Sequence, residues 1–210
     1  MKQNLNSLGL RLKIIYNDHS FWFSKNGNLF LYLQKDYIIR NNIIKLIKKC
    51  IKEKNYEFIG IIYVEIKKNL YLFNILIYIG FNEFFIKKQI INIKEFKNIL
   101  NNNKINFIIV KVSNPFKHPI IIAEYISLQI LNKISISKII IKIIELINKL
   151  DDIKGIKIKI SEFNNKKKRI NWIIEGNISL QIIHNKINFD YFKILNKNGI
   201  LSINTWIFKN

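Results

Sequence analysis

Apolar residues recur along the chain at two spacings, and the switches between them mark out its elements. From Tyr37 to about Lys54, Ile39, Ile43, Leu46, Ile47 and Cys50 fall on one helical stripe, with Arg40, Asn41, Asn42, Lys45, Lys48, Lys49 and Lys52 opposite. Asp36 stands just ahead, where a side-chain oxygen can cap the first free N–H groups of a helix. The pattern predicts a basic-faced amphipathic helix over 37–54. Two runs dense in Ile, Tyr, Phe and Val follow, Glu57 to Lys67 and Leu70 to Ile79, joined by polar residues; they predict a β-hairpin. Short helical pieces are expected around Glu83 to Gln89 and Ile93 to Leu100, then a strand from Ile105 to Val112. The first half therefore has the order α-β-β-α-α-β.

Pro115 and Pro119 flank Phe116-Lys117-His118 and interrupt regular structure there. A domain boundary is placed at this point, giving an N-terminal extension over 1–36, a first domain over 37–113 and a second over 114–210. Beyond the boundary, Ile120 to Asn132 and Ser135 to Leu150 read as helices, the second carrying Lys138, Lys142, Glu145 and Lys149 on one face. Four strands close the chain: Gly155 to Phe163, Arg169 to Glu175, Ile178 to Asn188 and Ile200 to Phe208. Gly176-Asn177 fits a two-residue hairpin turn between the second and third. The fold class is mixed α/β (α+β), its second domain having helices packed on an antiparallel sheet.

Composition supports a packed core, since 49% of the 210 residues are hydrophobic and 13% aromatic. Charge changes the picture more. Lys and Arg number 35 against 14 Asp and Glu, a net +21, whereas small soluble domains are comfortable at a magnitude of about 2–8. Such an excess implies a polyanionic partner, nucleic acid or an anionic membrane surface. Lysine outnumbers arginine heavily, which suits phosphates better than base edges. The abundance of Ile, Asn and Lys also fits drift in a very AT-rich genome, so a lysine run can be neutral filler.

Catalytic constellations are not found. Cys50 is the only cysteine, and His19, His118 and His184 stand at no ligand spacing from one another. No phosphate-binding glycine loop is present, and Asp151-Asp152 read as residues that cap or follow a helix. Neither an enzyme nor a cofactor is expected. The longest apolar stretch, Asn69 to Asn82, falls short of the ~18–20 residues that span a bilayer, so no membrane association through a spanning helix is expected. The N-terminus shows neither signal-peptide nor transit-peptide character. Trp22, Trp172 and Trp206 are expected to pack structurally.

Taken in order, a series of positions resembles the small-subunit ribosomal protein S-three family. Gln3, Gly9, Arg11 and Leu12, then Trp22-Phe23, match its opening motif, with Asn4 and Ser7 replacing the family Lys and Pro. Pro115, Ala123 and Gln129 fall at family-like positions. Gly155-Ile156-Lys157-Ile158, Arg169, Trp172, Glu175-Gly176 and the segment from Gly199 to Lys209 resemble the family's closing strands. The likeness runs through essentially the whole chain.

The resemblance implies a type II KH-like first domain followed by an α/β second domain, placed in the head of the small ribosomal subunit. The implied partners are ribosomal RNA, messenger RNA at its entry channel, and the neighbouring head proteins S-ten and S-fourteen, without self-association. Ile86-Lys87-Lys88-Gln89 stands where the KH Gly-x-x-Gly loop would let phosphates approach the main chain, with both glycines replaced, so contact there falls to Lys87 and Lys88; Gly80-Phe81-Asn82-Glu83 is the alternative placement, keeping one glycine but adding an acidic residue. The implied RNA-binding set is Arg11, Lys87, Lys88, Lys133, Lys138, Lys142, Lys166, Lys167, Lys168 and Arg169. For the run 166–169 a solvated loop is the alternative and a nuclear localisation signal the third option, and for Lys138 and Lys142 the alternative is the wet face of a helix. Ser137, Ile141 and Asn177 depart from the family's basic positions. An AT-driven composition and a family-like start at Gln3 point to a gene read inside an organelle, a relict plastid (apicoplast) first and a mitochondrion second. The rivals are a protein docking on an anionic membrane surface and an unrecognised nucleic-acid enzyme.

Overall fold

The computed structural model describes residues 9–12, 14, 19–25, 27–53, 60–68, 72–80, 104–164, 167–196 and 199–209. The chain divides into two compact units, Asp18–Ser113 and a second made of Met1–Asn17 with Asn114–Asn210. Residues 1–36, expected as a single extension, are thus shared between the units. The fold is mixed α+β, as expected.

In the first unit, β1 (Ser20–Phe21), α1 (Leu29–Glu53), β2 (Ile61–Lys68), β3 (Leu72–Ile79) and β4 (Lys104–Lys111) follow in chain order. The sheet order is β1-β2-β3-β4, with β2 and β3 antiparallel and the two outer pairs parallel. The expected hairpin is therefore present. Val64, Ile66, Ile75, Ile77 and Ile79 alternate onto one face and pack against Ile39, Ile43 and Ile47 of α1. Each such side chain contributes about 1.5–3 kcal/mol on burial. The expected helical pieces at 83–89 and 93–100 lie outside the described residues.

Helix α1 begins at Leu29, not at Tyr37. Its first turns escape the periodic pattern because Leu29, Phe30, Leu31 and Leu33 are all exposed and draw no stripe. Asp36 consequently is not a cap. It lies buried inside the helix, where its carboxylate accepts from Ser20 Oγ (2.6 Å), Trp22 Nε1 (2.9 Å) and Arg40. Burial alone pushes this carboxyl up, but the bonds from Arg40, Ser20 and Trp22 together outweigh it and hold the group below its ordinary range. Arg40 also donates to the carbonyl oxygens of Val64 and His19 and to Ser20 Oγ, joining α1 to β1 and β2.

The second unit holds α2 (Pro119–Leu131), α3 (Ile136–Asn148), β5 (Ile153–Asn164), β6 (Lys167–Gly176), β7 (Ile187–Asn196) and β8 (Gly199–Lys209). Its sheet is antiparallel throughout, in the order β6-β5-β8-β7. Ile122, Ala123 and Ile126 of α2 and Ile139, Ile143 and Ile147 of α3 pack on the Ile and Leu positions of β5 and β8. Both helices and three of the four strands stand close to where the hydrophobic pattern places them.

The third expected strand, Ile178 to Asn188, is wrong. Residues 177–186 form turns, the strand is β7, and Gly176-Asn177 is no hairpin turn. The sheet order explains this, because β6 is an edge and β7 the opposite edge, so the chain must cross the sheet between them. Gly176 starts that crossing at φ +73, with the Asn177 N–H donating to Lys154 O. A Cβ at Gly176 would lie 2.3 Å from that same oxygen. The crossing segment is gathered by Arg11, whose Nη2 donates to Leu180 O (3.1 Å) and Ile182 O (2.9 Å) and whose Nε donates to Asn185 O (3.1 Å).

Two stability measurements follow from this geometry. Gly176→Ala is expected to lose about 2–4 kcal/mol in urea unfolding, from left-handed backbone plus backbone overlap. Gly27→Ala, also at positive φ but with nothing within 4 Å of the added Cβ, is expected to lose only about 1–2 kcal/mol.

The second concerns Asp190, which pairs in register with the buried Thr205 on the helix-covered side of the sheet. Burial pushes its carboxyl up to about 7. Between the ordinary Asp value and about 7 the folded chain therefore binds more protons than the unfolded one, and stability falls as pH rises through that window. Asp190→Asn is expected to flatten the fall, gaining on the order of 4 kcal/mol at pH 8 relative to pH 4. Urea denaturation at the two pH values measures it.

Candidate nucleic-acid interface

The basic positions fall into three groups. The first surrounds the turn between α2 and α3. Ile139, Ile143 and Ile147 bury one stripe of α3, and this forces Lys138 and Lys142, one turn apart, onto the exposed side. Lys142 Nζ lies 5.9 Å from the Tyr125 ring centroid, so its stem rests against α2 while its charge faces outward. Exposed Ile141 and Ser137 break the row where more cations could stand.

Lys133 belongs to the same region but has a backbone role. It adopts φ +61 just past the end of α2. Its N–H donates to Ile130 O and the Ile134 N–H to Gln129 O, the paired bonds of a Schellman ending that glycine fits best. Lys133→Gly is accordingly expected to stabilise the chain by about 1 kcal/mol, read as a higher urea midpoint, while removing one exposed charge.

The second group is the β5–β6 hairpin. Asn164 pairs with Lys167, Phe163 with Lys168, and Glu162 with the exposed Arg169. The side chains of Lys167 and Lys168, and all of Lys166, lie outside what is described, as do Lys87 and Lys88.

Arg11 corrects an expectation. Its residue is 1% exposed and its guanidinium is committed to the Leu180, Ile182 and Asn185 carbonyls, so it serves the fold and presents no fork to phosphate.

The third group was missed from sequence. Lys157 and Lys159 project from the face of the sheet opposite the helices, each with its ammonium over the Trp172 ring, at 5.0 and 4.7 Å. The alternation of Lys with buried Ile156, Ile158 and Ile160 is the signal that could have revealed them. Trp22 does pack structurally through Asp36, and Trp206 lies against Phe189, but Trp172 is 52% exposed.

Among the described residues no group of His, Cys, Asp and Glu could hold a metal ion, and no helix is long and apolar enough to cross a membrane. Burial pushes His118 down to about 4, with Lys209 adding to the effect, so it is neutral near pH 7 and contributes no cation.

Two α+β units with isoleucine cores and with lysines on their exposed faces define a protein of strongly cationic surface. The chain is 36% identical over 219 residues to the small ribosomal subunit protein uS3c of Epifagus virginiana, covering 99% of this chain and 98% of the relative. It is 37% identical over 220 residues to that of Phalaenopsis aphrodite subsp. formosana, covering 100% and 99%, and 39% identical over 217 residues to that of Citrus sinensis, covering 99% and 98%. No family model matches. The chain belongs to the uS3 family of small-subunit ribosomal proteins, in its plastid version.

Proposed function

We propose that the chain docks on ribosomal RNA in the head of the small subunit and lines the path by which messenger RNA enters. The observation that carries this reading is the two-sided character of α3, with one stripe of isoleucine sealed in the core and Lys138 and Lys142 held outward by that same packing. Lys133 and the exposed Arg169 extend the cationic surface, and the family resemblance adds Lys87, Lys88, Lys166, Lys167 and Lys168 to the proposed contacts. Lysine ammonium groups suit this work, because they neutralise phosphate without demanding a fixed base geometry. Neighbouring head proteins, S-ten and S-fourteen in the family's terms, complete the set of partners, and the chain acts without chemistry of its own. The composition supports a relict plastid as the setting.

If about 6 lysines engage phosphates, binding to a ribosomal RNA fragment is expected to weaken roughly 10³-fold or more between about 50 and 200 mM salt. A flat salt response would contradict backbone docking. Lys138→Glu with Lys142→Glu is expected to slow initiation on structured messages while the particle still assembles. Equal loss of assembly would reassign that face to ribosomal RNA.

A further inference from the structure

The segment that links β6 to β7 is held in a different way from the sheet it serves. Residues 177–186 join no strand, and Gln181, Ile182, Ile183 and His184 are all exposed. In β5 and β8, by contrast, Ile156, Ile158, Ile160, Leu201, Ile203 and Ile207 are buried beneath the two helices. What fixes the link is a short set of hydrogen bonds. One guanidinium, that of Arg11, collects the carbonyls of Leu180, Ile182 and Asn185. The Asn185 side-chain amide donates to Ser179 O (3.3 Å) and Ser179 Oγ (2.5 Å), and the Asn177 N–H anchors the start of the link on Lys154 O (3.2 Å).

We infer that Arg11 and residues 177–186 form a strap that opens and shuts as one unit while the sheet stays folded, and that this strap is the last part of the second unit to close. Three physical features set it apart. A segment with an exposed middle has little buried apolar area to hold it, so its opening costs less than that of β5 and β8. One side chain serves three carbonyls, so loss of its seat releases all three together. Arg11 also stands 169 to 174 positions from its acceptors, with the whole first unit, Asp18–Ser113, between them. β7 and β8 meet across the short connection from Asn196 to Gly199, and β5 and β6 across that from Asn164 to Lys167. Contacts that close short loops form before those that close long ones. During synthesis Arg11 therefore waits for acceptors made in the last third of the chain, and shutting of the strap marks a completed sheet. Its closure does not depend on the RNA contacts proposed above.

Hydrogen exchange of the full chain in low urea, read residue by residue by NMR, tests the strap. The Asn177 and Asn185 amides are expected to exchange through an opening with little urea dependence, about 10-fold or more faster than those of Ile158 and Ile203 in the central strands. Arg11→Lys keeps the charge but loses the fork. It is expected to speed exchange at Asn177 and Asn185 by a further ~10–100-fold while Ile158 and Ile203 are unchanged. In pulse-labelled refolding, Asn177 and Asn185 are expected to gain protection after Ile158 and Ile203 do. Exchange of all four amides at one rate with one urea dependence would overturn the strap, as would an Arg11→Lys chain that fails to fold or that leaves Asn177 and Asn185 unchanged. Simultaneous protection of all four during refolding would overturn its late closure.

Discussion

A guanidinium withdrawn from water must satisfy its donors within the protein, and Arg11 does so on the carbonyls of Leu180, Ile182 and Asn185. Those carbonyls belong to the segment that carries the chain from one edge of the second sheet to the other. The sheet order depends on that crossing: without it β7 could not reach the free side of β8, and the antiparallel arrangement β6-β5-β8-β7 would not close. Arg11 thereby ties residues near the start of the chain to its last third. Arg40 does the equivalent in the first unit, joining α1 to β1 and β2 around the buried Asp36. The chain's arginines are Arg11, Arg40 and Arg169, and the first two are used internally. The rigid planar fork serves where several carbonyls must be collected at once, and the flexible lysines are left for the surface.

That division of cations accounts for much of what the net charge of +21 could not say. A total does not distinguish a guanidinium bound to carbonyls from an ammonium facing solvent, and only the latter meets phosphate. The second sheet sorts its charges further, with Glu162, Glu175 and Asp190 on the helix-covered face and Lys157, Lys159 and Lys193 on the open one. One consequence is that burial pushes the carboxyl of the half-buried Asp190 up, and another is a face on which aromatic rings and lysine stems lie together.

Elements with one buried face were legible in the sequence. The isoleucine stripes of α2 and α3 and the alternation in β2, β3, β5 and β8 follow directly from burial on a single side. The start of α1 was not legible, because its first turns expose Leu29, Phe30 and Leu31 and so imitate irregular chain. Ile178 to Ile183 misled in the opposite way, having strand-like composition but no partner strand within reach of a hairpin. At the site, the outward placement of Lys138 and Lys142 could be read from helical periodicity. Arg11 could not, because its role comes from carbonyls more than 160 residues away along the chain.

The most direct test of this division of labour is a density map of the assembled small ribosomal subunit containing this chain. The expected map shows Arg11 enclosed by the carbonyls at 180, 182 and 185, with Lys138 and Lys142 facing RNA phosphates. A map in which Arg11 turns out to phosphate while Lys138 and Lys142 face bulk water would contradict the account.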